Sequence, residues 1–454
     1  MKLKFLIILI SLGFSSVFSQ KNCYTIAVGK KASYDQKRVL VAHNEDDSGD
    51  LIINMFKVPS EKHNKTDKYT LIDGTKIPQA ENTNSLLWIE TTQQNFGDMF
   101  MNEYGVTICS DACQSKEKDA KGILTYDFRR LIAEGAKSAK DAIIIASDLL
   151  KKYGYASSGR TYTIADANEV WLLSVVMGNH WVAQRVPDNE VAIIPNYYTI
   201  GEIDLNDTIN FLASPDIITY AIEKKWYNPD LGKAFNFREA YSADYVLHAS
   251  WNVPRHWIGL KLLSDKKYNF DDELPFSFKA KAKITINDLK LVLSNHYENT
   301  DLEANKTLHK NPHNNLMHSI CNESTKFSTI ADLTSTNPKN NTNVLWFAPL
   351  NPCIFPFIPI AFDIENFPDM YKNIDLEKAK QQHFEKEKTS YKNNPTQAFS
   401  VFHNYRNSIY DDYWNNAELR QKLIEEYKNL IKDKTINKEL SYKLLIKLYK
   451  DLKE

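Results

Sequence analysis

An α+β fold is predicted by three features of the chain: a block of strand-like segments between residues 23 and 113, a pair of amphipathic helical segments over 126–152, and a second strand block over 161–194. Strands that come in blocks, rather than alternating singly with helices, favour antiparallel sheets over a parallel βαβ sheet. In the first block the strand candidates are Tyr24 to Val28, Val39 to Ala42, Leu86 to Thr91 and Val106 to Cys109, with Tyr34-Asp35-Gln36-Lys37 as the turn between the first two. The helical pair covers Tyr126 to Glu134 and Ala139 to Lys152. In the second of these Ile143, Ile144, Ala146, Leu149 and Leu150 recur at roughly helical spacing, and Gly154 supplies a stop. Strands return at Thr161 to Ile164, Glu169 to Val176, Trp181 to Val186 and Val191 to Ile194, where Asp166-Ala167-Asn168 and Gly178-Asn179 are hairpin signals.

Helical pattern resumes near Pro215 to Lys225 and Ile286 to His296, and a strand is expected around Asn343 to Phe347. From Asp375 onward the chain is rich in Lys and Glu, and Leu423, Ile424, Tyr427, Leu430 and Ile431 fall on one helical face. That stripe is the core-facing kind, so 375–454 is expected to be a helical region packed on the main domain rather than a partner-binding tail. There is no internal repeat and no low-complexity linker.

The 454 residues are 43% hydrophobic, 12% aromatic and 25% charged, which supplies a large core and argues against wholesale disorder. Fifty-six basic side chains against 57 acidic ones leave a formal net charge of −1, so no global field attracts nucleic acid or anionic lipid. At the N-terminus Lys2 and Lys4 precede the apolar run Phe5 to Phe14, and mostly small residues follow from Ser15 to Ser19. This is the layout of a secretory signal, expected over 1–19, with Val17 and Ser19 fitting the small-residue cleavage rule. The apolar run is shorter than the about 20 residues that a spanning helix needs. A secreted or periplasmic location is expected, with no membrane span in the mature protein.

The five cysteines are Cys23, Cys109, Cys113, Cys321 and Cys353, and outside the cell an odd count implies one thiol kept free. If that is Cys23, the other four allow three pairing schemes, of which Cys321 with Cys353 belongs to one. Cys109 and Cys113 fit equally as buried thiols, and their CxxxC spacing without a second pair is a weak zinc signal. His309, His313 and His318 are spaced His-x3-His and His-x4-His, but Asn311, Pro312, Asn314 and Asn315 break any helix that would align them. They read as a polar loop, and no metal is expected.

A cysteine just behind a removable leader permits one particular chemistry. A thiol of pKa about 8.5 needs a base, and a free α-amino group at about 7.7 to 8.0 has suitable basicity and belongs to the same residue. Removing 20–22 would create that amine on Cys23, either by attack of its own thiol on the carbonyl of Asn22 or by another protease. Position alone is a weak argument, because many secreted proteins carry an early cysteine in a disulfide.

The surrounding residues strengthen it. Cys23-Tyr24-Thr25-Ile26-Ala27-Val28-Gly29-Lys30-Lys31-Ala32-Ser33 leads into Val39-Leu40-Val41-Ala42-His43-Asn44-Glu45-Asp46. Further on come Met101-Asn102-Glu103-Tyr104-Gly105-Val106, Leu124-Thr125-Tyr126-Asp127-Phe128-Arg129-Arg130-Leu131, Asp166-Ala167-Asn168-Glu169-Val170-Trp171 and His180 to Asn196. Shorter pieces are Arg255-His256-Trp257, Glu273-Leu274-Pro275-Phe276 and His296-Tyr297-Glu298. In this order the segments resemble the dipeptidase family of cysteine N-terminal-nucleophile hydrolases over most of the chain. The resemblance implies a four-layer αββα sandwich over 23–374, with Cys23 opening a central strand and the helical extension following.

It also implies roles. Cys23 is the expected nucleophile, Asp46 the carboxylate that orients its α-amino group, and Asn196 the oxyanion donor. Without the resemblance, Asp46 reads as a turn acid and Asn196 as a strand-end turn residue. His43 either contacts Cys23 or fills a buried slot; related enzymes of this fold often carry arginine there. Arg255 either grips a substrate carboxylate bidentately or forms a surface ion pair, and Asn102 either lines the cleft or serves a hairpin ahead of Gly105. The implied reaction is hydrolysis of a dipeptide through an acyl-enzyme, without metal or organic cofactor. The alternatives are a hydrolase of non-peptide amides, of the bile-acid or penicillin type, and a secreted binding protein that has lost activity. Expected partners are a small peptide and, if the chain oligomerises, its own copies.

Overall fold

The computed structural model describes residues 23–453 apart from 93, 95, 305, 307–309, 315–317 and 384–393; the expected signal, the 20–22 leader and His309 lie outside the described residues. Two antiparallel sheets carry the fold, as the α+β class requires. The first has seven strands in the spatial order Ser277–Phe278, Val191–Ile194, Tyr24–Val28, Val39–Asp46, Thr325–Leu333, Val344–Pro349 and Ile358–Ala361. The second has eight: Phe211–Ala213, Trp181–Arg185, Val170–Val175, Arg160–Ala165, Thr107–Ala112, Met99–Asn102, Leu86–Thr91 and Ile53–Val58.

Alternation along a strand sends successive side chains to opposite faces, and here both faces of the central strands are buried. Every residue of Tyr24–Val28, Val39–Asp46 and Thr325–Leu333 is inside the protein. Ala27, Val39, Val41, Ile194 and Ala331 of the first sheet share an apolar cluster with Met99, Met101 and Leu172 of the second. Their neighbours Tyr24, Ile26, Leu40, Ala42 and Ile330 pack instead with Ile258, Leu260, Leu289 and Leu293 of two helices, Val253–Leu263 and Ile286–Leu293. The second sheet in turn sets Trp88, Phe100, Ile108, Tyr162 and Leu173 against Ile132, Ala142, Ile143, Ala146 and Leu150 of the helices Thr125–Gly135 and Ala139–Tyr153.

Local signals explain the helix ends. Ser138 accepts from the amide of Asp141 at the start of Ala139–Tyr153, and Gly154 stops that helix at φ 71°. Thr285 and Asp288 form a capping box on Ile286–Leu293. This helix ends before the expected His296, because the side chain of Glu298 takes up those of Asn295 and His296. The helices Ala398–Tyr410, Ala417–Ile431 and Lys438–Lys453 close the chain. Leu423, Tyr427, Leu444, Leu445 and Leu448 join the cluster between the sheets, and Ser441 accepts from the amide of Ala361 at 3.0 Å. No helix among the described residues is long and apolar enough to cross a membrane.

Candidate active site

Cys23 stands immediately before the central strand Tyr24–Val28, whose register pairs Thr25 with His43 and Tyr24 with Asn44. One more step along that register faces Cys23 with Glu45. The thiol donates to Glu45 Oε1 at 3.3 Å and lies 3.8 Å from the carbonyl oxygen of Asp46. Burial pushes this thiol well above its ordinary pKa, and the negative charges of Glu45, Asp111 and Asp46 add to the effect. Such a thiol is protonated at neutral pH and cannot act without a base.

His43 has both ring nitrogens engaged. Its Nδ1 is 2.8 Å from the Thr25 hydroxyl and its Nε2 is 3.1 Å from Glu45 Oε2. The Thr25 hydroxyl has one proton and gives it to Asp111 Oδ2 at 2.7 Å; it must therefore accept from Nδ1–H. Nε2 faces a carboxylate, and with Asp111 ionised this arrangement favours a ring protonated at both nitrogens. Burial opposes that charge, yet Cys109 and Glu45 hold the imidazole well above its ordinary pKa. Of the two readings of His43, the structure places it against Glu45 rather than on the thiol, and supplies a positive charge where related enzymes often have arginine.

Arg255, on the helix Val253–Leu263, is completely buried. Its Nε donates to Trp251 O at 2.6 Å, Nη1 to the carbonyl of Cys23 at 3.0 Å, and Nη2 to Asn196 Oδ1 at 2.7 Å and Asn252 Oδ1 at 3.1 Å. A guanidinium only donates, which fixes the Asn196 amide with its oxygen toward Arg255. Asn196 Nδ2 is left without a hydrogen-bond partner, and Asn196 lines a cavity of about 530 Å³ together with Phe96, Thr125, Ser157, Arg160 and Trp251. Arg255 is thus neither a surface ion pair nor open to a substrate carboxylate: these contacts tie the Cys23 backbone to Asn196.

Asp46 accepts from Asn322 Nδ2 at 2.5 Å through Oδ2, while its buried Oδ1 has no hydrogen-bond partner. Burial pushes this carboxyl up to about 7. Asn102 lies apart from the cluster. Its Nδ2 donates to the carbonyls of Ala133 and Ala136 and its Oδ1 accepts from the amides of Tyr104 and Val106, so the hairpin reading describes it and the cleft-lining one does not. The structure therefore brings together Cys23, His43, Asp46, Asn196 and Arg255 and leaves Asn102 out.

Several members of the site are given no role in the sequence reading: Thr25, Glu45, Asp111, Asn252, Asn322, Arg129 and Arg160. Strand period offers a signal for two of them, since Thr25 shares a face with Cys23 and Glu45 with His43. The others arrive from distant segments. Arg129 and Arg160 each give Nη1 to Ser110 Oγ at 3.2 Å, and their charges help hold Glu45 ionised. Cys23, His43 and Glu45 are close enough to share a metal ion, but an imidazolium has no lone pair to offer.

All five cysteines are free. Cys113 is an inert buried thiol, pushed up to about 12 by burial. Cys321 and Cys353 are neighbours, with Sγ atoms 3.4 Å apart and no bridge.

Known proteins match most of this chain. A probable dipeptidase of Latilactobacillus sakei is 26% identical over 375 residues, covering 78% of this chain and 76% of its own. Dipeptidase A of Lactobacillus helveticus is 27% identical over 306 residues, 63% of each chain. Among solved structures, a mutant of the conjugated bile acid hydrolase from Clostridium perfringens overlaps 72% of this chain and 89% of its own at 8% identity, with a TM-score of 0.30. The model of peptidase family C69 matches residues 22–412. That span takes in both sheets and every residue gathered around Cys23, and the chain belongs to peptidase family C69.

Proposed function

We propose that this protein is a secreted dipeptidase in which Cys23, exposed as the N-terminal residue by removal of 1–22, is the nucleophile. The observation that carries the reading is the Arg255 link: one buried guanidinium holds both the Cys23 carbonyl and the Asn196 amide oxygen, and leaves the buried Asn196 N–H unpartnered in a residue that lines the cavity. A preorganised donor beside a nucleophile is what an oxyanion requires. The α-amine of Cys23 takes the thiol proton, the thiolate attacks the peptide carbonyl, and Asn196 Nδ2–H stabilises the oxyanion. The proton then passes to the leaving amine, and water hydrolyses the thioester. The spare buried oxygen of Asp46 supports its role as acceptor for the α-ammonium form.

The names of the L. sakei and L. helveticus relatives favour dipeptides over other amides. The finer architecture belongs to the same proposal. Two sheets sharing one apolar cluster, each with a helix pair on its other face, support an αββα sandwich. A secretory signal over 1–19, a periplasmic or extracellular location and self-removal of the leader complete it.

Intact-mass measurement and N-terminal sequencing of the secreted protein, followed by a panel of dipeptides and N-acyl amides, test the reading. A chain beginning at Cys23 that cleaves dipeptides, and loses turnover in Cys23→Ala, is expected. A mature chain that retains Gln20-Lys21-Asn22, or activity on N-acyl amides alone, overturns it.

A further inference from the structure

A second group of ligand-type side chains meets in the interior, outside the Cys23 cluster. One ligand atom from each of His296, His313, Cys321 and Cys353 lies within 4.8 Å of the others, and all four residues are buried. His296 Nε2 is 3.3 Å from His313 Nε2, which is 3.1 Å from Cys353 Sγ, which is 3.4 Å from Cys321 Sγ. Four ligands placed tetrahedrally at about 2.0–2.3 Å from a zinc ion are separated by edges of about 3.3–3.8 Å. The three measured contacts already lie close to such edges.

The donor set and its surroundings fit the same ion. Two thiols and two imidazoles suit zinc, which takes Cys2His2 sites in tetrahedral geometry. Glu298 Oε1 is 2.9 Å from His296 Nδ1; a proton held there leaves the Nε2 lone pair facing the cluster, as in carboxylate–histidine–metal arrangements.

We propose that His296, His313, Cys321 and Cys353 form a structural zinc site. Binding releases one proton from each thiol, and the two thiolates neutralise the dication, so a cluster without net charge is what the interior encloses. The four ligands come from separate segments: the turn after Ile286–Leu293, the short turn Pro312–Asn314, the turn before Thr325–Leu333 and the turn after Val344–Pro349. The site therefore cross-links the outer helix to two strands of the first sheet. The C-terminal helices close over it, with Tyr410 stacked on His313 at 4.6 Å and Arg420 donating to the carbonyl of Cys353 at 3.3 Å. Next to Cys321, Asn322 reaches Asp46, so the cross-link also steadies one neighbour of the nucleophile. The sequence reading expects no metal because it weighs local spacing alone, that of His309, His313 and His318 and that of Cys109 and Cys113; the ligands meet through the fold instead.

The experiment uses the full secreted chain, purified without chelator. Elemental analysis by mass spectrometry is expected to find stoichiometric zinc that survives dialysis. Replacement by Co²⁺ should give the intense visible bands of a tetrahedral ion together with thiolate charge transfer. Cys353→Ser and His313→Ala should lose the ion, whereas Cys113→Ser keeps it. Wild-type protein that binds neither zinc nor cobalt when these are supplied overturns the proposal, and so does a peptide map showing Cys321 bridged to Cys353. Both of those readings are made on wild-type protein, so a variant that fails to fold leaves them intact.

Discussion

His43 Nε2 lies 3.1 Å from Glu45 Oε2, with both side chains inside the protein and the Glu45 carboxylate also 3.3 Å from the Cys23 thiol. The imidazolium is the direct partner of that carboxylate. His43→Leu leaves the charge without it, and breaking a buried pair from one side costs about 3–5 kcal/mol. The midpoint of urea unfolding should fall accordingly, and the double variant His43→Leu/Glu45→Leu should recover part of the loss in a double-mutant cycle. A His43→Leu protein as stable as wild type would show that the ring is neutral.

Asn196 lines the cavity, and its buried amide N–H has no hydrogen-bond partner. Asn196→Ala should lower kcat by about 10²–10³-fold with a much smaller change in KM, the pattern expected when an oxyanion donor is removed. Arg255→Lys keeps a charge but loses the planar fork that joins Cys23 to Asn196. A misplacement of about 1 Å can cost on the order of 10²-fold, and steady-state kinetics on a dipeptide substrate should show kcat reduced on that scale in the folded variant.

His383 sits between two carboxylates, with Nδ1 2.9 Å from Glu90 and Nε2 3.3 Å from Asp98. Burial opposes its charge, but Asp98 and Glu90 raise its pKa to about 9. Because the folded value lies above the unfolded one, this stabilisation is complete below about pH 6.5 and is lost as pH rises through 9. Thermal unfolding followed from pH 6.5 to 9.5 should show stability falling by up to about 1.4 kcal/mol per pH unit from this group. The slope should be flatter in His383→Gln.

Gly29 ends the strand that Cys23 begins. A Cβ at this position would meet the carbonyl oxygens of Pro187 and Asp188, the latter at 2.6 Å, and both are backbone atoms with little room to move. Gly29→Ala should therefore destabilise the protein by about 1–3 kcal/mol, the usual cost of overpacking, and calorimetry should record a lower Tm. Unchanged stability would mean that the 187–188 turn yields freely.

The sequence was most readable where one physical signal dominated. Leu86–Thr91 and Val191–Ile194 match their expected bounds because β-branched and apolar runs end at turn residues, and Ala139–Tyr153 has a clear stripe, cap and stop. The strand Val39–Asp46 runs four residues past its expected end: His43-Asn44-Glu45-Asp46 looks like a turn until Thr25, Leu293 O, Cys23 and Asn322 are there to bond those side chains. Thr325–Leu333 escaped notice altogether, since burial on both faces removes the alternation and Lys326, Ser328, Thr329 and Asp332 mask its core position. Within the candidate site, motif order led to Cys23, Asp46 and Asn196, whereas the orientation of Asn196 by Arg255 is a contact across 59 residues of chain that no local pattern encodes.

Arg255 grips Cys23 through its carbonyl, on the side of the residue that stays in the chain whatever happens before it. Cutting the backbone ahead of Cys23 thus removes nothing that this bond needs. In the proposed mechanism, folding and activation are separable events: the pocket can be completed while the thiol still lacks its amine. Under the proposed function, trimming at Cys23 acts as a release of activity from a scaffold already built.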